Sequence, residues 1–159
     1  MSGFTDNLTI RPLNSEDAPE LSALLLSQTP AYVRFFTPFN FDLPSVAGLL
    51  TGQGTDVFMG MYWEGRLIGF FMLRGWDDGY DVPSYGVLID EKYSGYGLTR
   101  LSLKLAKSIC KLRRVPRIML KVNAGNKIAK RLFEEAGFNQ TGVDARTGNL
   151  IYHFDFNQR

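Results

Sequence analysis

Apolar residues recur along this chain with two different periods, and the changeovers between them predict its elements. "LTIRPL" alternates Leu8 and Ile10 with Thr9 and Arg11, a first strand. Asn14, Ser15 and Asp17 offer N-caps to a helix whose Leu21, Leu24 and Leu25 share one face, with Pro19 tolerated in its first turn. "TPAYVRFFTPFNFDLP", dense in proline and aromatics, reads as a loop, and "PSVAGLL" as a short second helix ending near Gly52. "DVFMGMYWEGRLIGFFMLRG" gives two strands joined at Glu64 and Gly65. "WDDGYDVP" is a polar turn, and "SYGVLID" a fourth strand apolar enough to lie centrally.

From Gly97 the period lengthens. Leu98, Leu101, Leu105, Ile109 and Leu112 step by three or four, which predicts a helix of about four turns. "RIMLKV" follows Pro116 as a fifth strand. "GNKIAKRLFEEAGF" is a further helix, with Ile128, Ala129, Leu132, Phe133 and Ala136 apolar and Gly137 placed to end it. "QTGVDARTGNLIYHFDF" closes as a hairpin turning at Thr147, Gly148 and Asn149. The predicted order is β-α-α-β-β-β-α-β-α-β-β, without repeat or linker. It implies one α/β (α+β) domain, residues 1–159, built on a mixed sheet.

Composition narrows the function classes. A net charge of +2 is too small to argue for nucleic acid or a membrane surface. No basic–aromatic stripe suggests a nucleic-acid module. Cys110 is the only cysteine and cannot form an internal disulfide, so a reducing compartment is expected. "MSGFTDNLTI" lacks the basic start and apolar run of a leader, and "LIGFFML" is too short to span a bilayer. The expectation is a cytoplasmic protein, with no metal site indicated, as a monomer or homodimer.

The one junction that suggests chemistry is "EKYSGYGLTR", where a strand hands over to a helix through Gly95 and Gly97. A helix N-terminus presents unpaired N–H groups and partial positive charge. Glycines before it let the backbone turn and leave room for an anion such as a diphosphate. A tight turn needing glycine for its own backbone is the other reading. A Walker loop is excluded because no Gly-Lys-Ser/Thr follows, and a Rossmann turn because position 100 is Arg100.

Lys92-Tyr93-Ser94-Gly95-Tyr96-Gly97 resembles the Arg/Gln-x-x-Gly-x-Gly/Ala pyrophosphate loop of the GNAT superfamily of acyl-CoA-dependent N-acyltransferases, with Lys92 at the Arg/Gln position. Asn126-x-x-Ala129-x-x-Leu132-Phe133-Glu134-x-x-Gly137-Phe138 is similar to the family's second signature. The predicted element order matches the family from about Leu8 to Phe156. The resemblance implies a mostly antiparallel sheet of about seven strands with four helices, splayed between its fourth and fifth strands. It implies acetyl-CoA as cofactor and acetyl transfer to the primary amine of a small molecule. A non-catalytic acyl-CoA sensor and a protein or peptide N-acetyltransferase remain the alternatives. By the same resemblance, backbone groups of Leu88 and Ile89 pair with pantetheine, with the Leu88 N–H as oxyanion donor. Amides from Tyr93 to Leu98 hold the pyrophosphate, and Asn126 and Phe133 border the cofactor. Asn126 could equally be an N-cap.

Two of the family's proton carriers are missing. Ser84 stands where many members have a glutamate, and Phe133 replaces the tyrosine. An alkyl amine with a pKa near ~10 must still lose a proton. The candidates are His153 on the last strand, a water held by Ser84, and Tyr85, which alternation points to the opposite sheet face. For the acceptor, Tyr32, Phe35, Phe36 and Phe39 could wall a pocket, and Arg34 could meet a carboxylate or phosphate; ordinary loop packing is the other reading.

Overall fold

The two periods resolve into one sheet and two helical layers. The computed structural model describes residues 7–52 and 54–156. The leader question, which rests on the first residues, falls largely outside them. Strands are β1 (Leu8–Pro12), β2 (Val57–Trp63), β3 (Arg66–Arg74), β4 (Ser84–Ile89), β5 (Arg117–Val122), β6 (Asn139–Val143) and β7 (Leu150–Asp155). Helices are α1 (Ala18–Ser27), α2 (Pro30–Val33), α3 (Leu43–Leu50), α4 (Leu98–Leu112) and α5 (Lys127–Glu135). The single turn α2 lies inside the segment expected to be loop. Thr29 caps it by accepting from the Tyr32 N–H, and Pro30 occupies its first position.

The seven strands run in the order β1-β2-β3-β4-β5-β7-β6, antiparallel except for β4 against β5. One face carries α1 and α3 over Leu21, Leu25, Val46, Phe70, Met72 and Leu88. The other carries α4 and α5 over Phe71, Tyr85, Ile118, Leu120, Phe133 and Tyr152. These are called the α1 face and the α4 face below. Burying each such aromatic or aliphatic side chain is worth about 1.5–3 kcal/mol.

The buried stripe of α4 differs from the expected one. Ser102, Leu103, Ala106 and Cys110 face the sheet, the expected leucines flank them, and Leu112 is 84% exposed. Small side chains let the helix sit close, and the bulkier leucines fill the shoulders. Ile128, also expected on an apolar face, is 83% exposed at the start of α5. The β2–β3 turn is as expected: Glu64 and Gly65 both have positive φ, 52° and 81°, suited to a two-residue hairpin.

The feature that positions a site is the join between β4 and β5. β4 pairs with β3 through six residues, and β5 pairs with β7 through six. Between β4 and β5 the register holds only at Ser84 opposite Met119, supported by the Met119 N–H donating to the Pro83 carbonyl at 3.0 Å. Beyond that point the strands diverge, leaving a wedge that opens toward Ile89 and the Gly95–Gly97 loop.

Candidate active site

Backbone direction along β4 sets what the wedge can bind. The Asp90 N–H donates to the Ile68 carbonyl on β3, whereas the Pro83 carbonyl faces β5. Strand groups alternate sides, so even-numbered residues pair with β3 and odd-numbered ones face the wedge. Leu88 is therefore committed to β3, which corrects the expectation that its N–H and C=O face the cofactor. The open-edge groups beyond the apex belong to Val87 and Ile89. The Ile89 carbonyl already accepts from the Tyr32 hydroxyl at 2.6 Å.

The loop after β4 is built from short-range hydrogen bonds. Asp90 caps it by accepting from the Lys92 N–H at 3.0 Å. The Tyr93 N–H donates to the Asp90 carbonyl and the Ser94 N–H to that of Glu91. Those two amides are spent within the turn, a second correction, and the donors available to an anion begin at Gly95. Gly95 and Gly97 have φ of 90° and 80°, and a Cβ on either would meet nothing within 4 Å. Glycine is thus required there for backbone conformation, and the surrounding space is open. Gly97 is the N-cap of α4, whose first-turn N–H groups at Leu98, Thr99 and Arg100 have no intrahelical acceptors. Lys92 and Tyr96 are exposed beside this loop, and Tyr96 packs against Tyr93 with ring centroids 6.4 Å apart.

The loop is braced from the α1 side. Gln28 accepts from the Glu91 N–H at 3.0 Å, and Tyr32 holds the end of β4. Phe35 reaches the other wall: a Cβ on Gly125, just after β5, would lie 3.6 Å from its ring. Tyr32 and Phe35 thus place α2 across the wide end of the wedge. Phe36 and Phe39 turn into the α1-face core against Phe70 and Phe41, so they are packing residues. Arg34 is exposed over the Phe35 ring at 4.5 Å.

Asn126 caps α5 by accepting from the Ala129 N–H at 3.2 Å. Phe133 is 7% exposed, edge-on to Tyr85 and Phe138 on the α4 face. Glu134, part of the same motif, accepts from the Tyr152 hydroxyl at 2.6 Å and fastens α5 to β7.

The apex of the wedge brings the proton-carrier candidates into register. Arg74, Ser84, Met119, His153 and Asn139 pair in turn across β3, β4, β5, β7 and β6, so their side chains share the α1 face. His153 Nδ1 lies 2.6 Å from Thr141 Oγ1. In the tautomer protonated at Nδ1, that N–H donates to Thr141, whose hydroxyl has the Ile151 carbonyl 3.4 Å away, and Nε2 keeps its lone pair. Partial burial and the nearby Arg117 cation lower the His153 pKa, against a smaller opposing pull from Asp155. The imidazole is therefore neutral at pH 7.

Tyr85 belongs to the other face, as alternation predicts. It is 5% exposed, shares a hydrogen bond with Ser102, and burial pushes its hydroxyl well above the usual range. That corrects its candidacy as a proton carrier. Thr141, Val87 and Gln28 were not legible as site residues, because each acts through a tertiary contact or a strand phase that no spacing encodes.

A family model described as the acetyltransferase (GNAT) family matches residues 21–138 of the 159. The chain belongs to the GNAT acetyltransferase family. The spermine/spermidine N(1)-acetyltransferase of Bacillus subtilis (strain 168) is 35% identical over 92 residues, which span 53% of this chain and 60% of that relative. The PaiA N-acetyltransferase of Thermoplasma acidophilum, solved in complex with coenzyme A, superposes with a TM-score of 0.79 at 15% identity, over 94% of this chain and 99% of that one. The ribosomal-protein-S5-alanine acetyltransferase of Vibrio fischeri superposes with a TM-score of 0.77 at 14% identity, over 98% and 96%. At these identities the two structures speak for the shared GNAT fold. Among the described residues no helix is long and apolar enough to cross a membrane.

Proposed function

We propose that this protein is an N-acetyltransferase that moves the acetyl group of acetyl-CoA to the primary amine of a small molecule by direct attack. The observation that carries the reading is the wedge between β4 and β5, with a donor-rich helix N-terminus at its open end and His153 beside its apex. The residues present fit the cofactor: Gly95–Arg100 amides for the diphosphate, and the Val87 and Ile89 edge for the pantetheine amides, as an added strand. When bound, acetyl-CoA supplies the activated acetyl group and a thiolate leaving group.

The chain's own residues orient that group and manage the proton. Val87 is the first open-edge residue beyond the apex, and its N–H faces the wedge, where it would be free to donate to the bound cofactor. His153 Nε2 takes the proton that becomes acidic as the amine nitrogen forms its new bond, while Thr141 holds Nδ1. His153 stands two strand spacings from Ser84, about 10 Å, so a water at Ser84 completes the relay. Cys110 has no part in a covalent route. It is fully buried under α4, and burial pushes its thiol up to about 11.

Steady-state CoA release with a panel of amines tests the reading. Turnover by the intact protein, with His153→Gln lowering kcat by about 10²-fold or more, is the expected result. CoA binding without turnover of any amine would favour the sensor alternative.

A further inference from the structure

We propose that the acceptor is a small amine that also carries a carboxylate or phosphate, and that Arg74 holds that acid. The inference rests on the acetyl-transfer reading and adds the charge of the substrate. Arg74 closes β3 and stands opposite Ser84, so its side chain shares the α1 face with the apex row. It is half-buried, and a guanidinium stays charged at any working pH. Among the described residues it has no carboxylate partner. Its guanidinium lies over the face of Phe39, 5.7 Å from the ring centroid.

The β5 cations of this face are already matched. Arg117 pairs with Asp155 at 2.7 Å, and Lys121 with Asp144 at 2.9 Å. The apex row itself contains an arginine, a serine, a methionine, a histidine and an asparagine, and no acid. At the apex a polyamine, with several ammonium groups, would meet the Arg74 cation and no strand carboxylate. The nearest acids of β4's end, Asp90 and Glu91, face Tyr32 at the wide end instead. An anionic amine would complete Arg74 with a two-pronged, charge-assisted pair. Arg74 lies one strand from Ser84 and two from Met119, roughly 5–10 Å from the apex. The acid and the reacting amine are therefore separated by a few bonds.

The test compares acceptors of similar reach and different charge: β-alanine and O-phosphoethanolamine against propylamine and spermidine. The wild type is expected to favour one or both anionic amines at least tenfold in kcat/KM. Which of the two is preferred distinguishes carboxylate from phosphate. Arg74→Gln is expected to raise KM for the preferred anionic amine at least tenfold more than for propylamine. Arg74→Lys should lose an intermediate amount, and thermal unfolding should show both variants folded. Preference for spermidine, or an unchanged ratio in folded Arg74→Gln, overturns the proposal.

If no amine is acetylated, the acetyl-transfer reading fails, and the charge inference is read from binding instead. Calorimetric titration of the protein with N-acetyl-β-alanine and N-acetyl-O-phosphoethanolamine, CoA present, should show at least one binding to wild type and at least tenfold more weakly to Arg74→Gln. Equal binding by both proteins, or none by wild type, overturns it.

Discussion

Gly97→Ala isolates the backbone requirement of the loop from any steric one. Gly97 has φ 80° and ψ 14°, and an added Cβ would meet nothing within 4 Å. The packing cost is therefore nil, and the whole effect is the strain of holding an L-residue in the left-handed region, about 1–2 kcal/mol. That strain can appear in two places. If the loop keeps its shape, the fold loses the full amount, a fall in Tm of roughly 2–8 °C for a chain of this size. If the loop relaxes, the amides of Gly95 to Arg100 lose alignment and CoA affinity falls by roughly five- to thirtyfold. Calorimetry and thermal unfolding together should recover about 1–2 kcal/mol between them. Gly97→Asn should lose less by both measures, because asparagine tolerates this conformation better. Gly48→Ala is the control, since this α3 glycine also has open space and no positive φ; it should stabilise by about 0.4–1 kcal/mol and leave CoA affinity alone. Wild-type Tm and affinity in Gly97→Ala would refute the argument.

Three further outcomes follow from named contacts. Cys110→Ala should retain acetyl transfer at a stability cost of about 1 kcal/mol, and acetylated Cys110 trapped by mass spectrometry would contradict direct transfer. His153 is harder to protonate in the fold than in the unfolded chain, so its contribution to stability is intact above about 6.5 and shrinks as pH falls below that value. The acid limb of kcat/KM should likewise have its midpoint below 6.5, and a profile unchanged in His153→Gln would remove His153 from the relay. Tyr32→Phe breaks the 2.6 Å bond to the Ile89 carbonyl and should destabilise by about 0.5–1.5 kcal/mol while weakening CoA binding; an unchanged CoA affinity would mean the brace does not shape the wedge.

The elements were readable because each relies on local signals. Asn14, Asn126 and Gly137 sit where caps are needed, Glu64-Gly65 is a hairpin turn, and Leu21, Leu24 and Leu25 do share a buried face. The β4/β5 divergence was legible only through the family resemblance. No residue type in "SYGVLI" or "RIMLKV" marks where pairing stops. The loop was found from its glycines, but the division of labour among its amides depends on turn hydrogen bonds from Tyr93 and Ser94. Likewise, the resemblance points to Leu88 and Ile89 for the cofactor edge, whereas the register with β3, which sequence does not give, sets the direction of the backbone groups and leaves Val87 and Ile89 open. His153 could be named as a candidate, but Thr141 could not, because the two meet across a bulged hairpin. Tyr85 and Ser84 were separated correctly by alternation alone.

Amide hydrogen exchange on β4, followed by NMR with and without CoA, tests the central claim most directly. The claim is that the cofactor joins β4 as an added strand along the wedge. The Val87 and Ile89 amides face the open edge, and both should slow markedly when CoA binds. Leu88 and Gly86, already directed at β3, should exchange slowly in both states with little further change. Saturating CoA that leaves Val87 and Ile89 unaltered, or that protects Leu88 instead, would contradict the account.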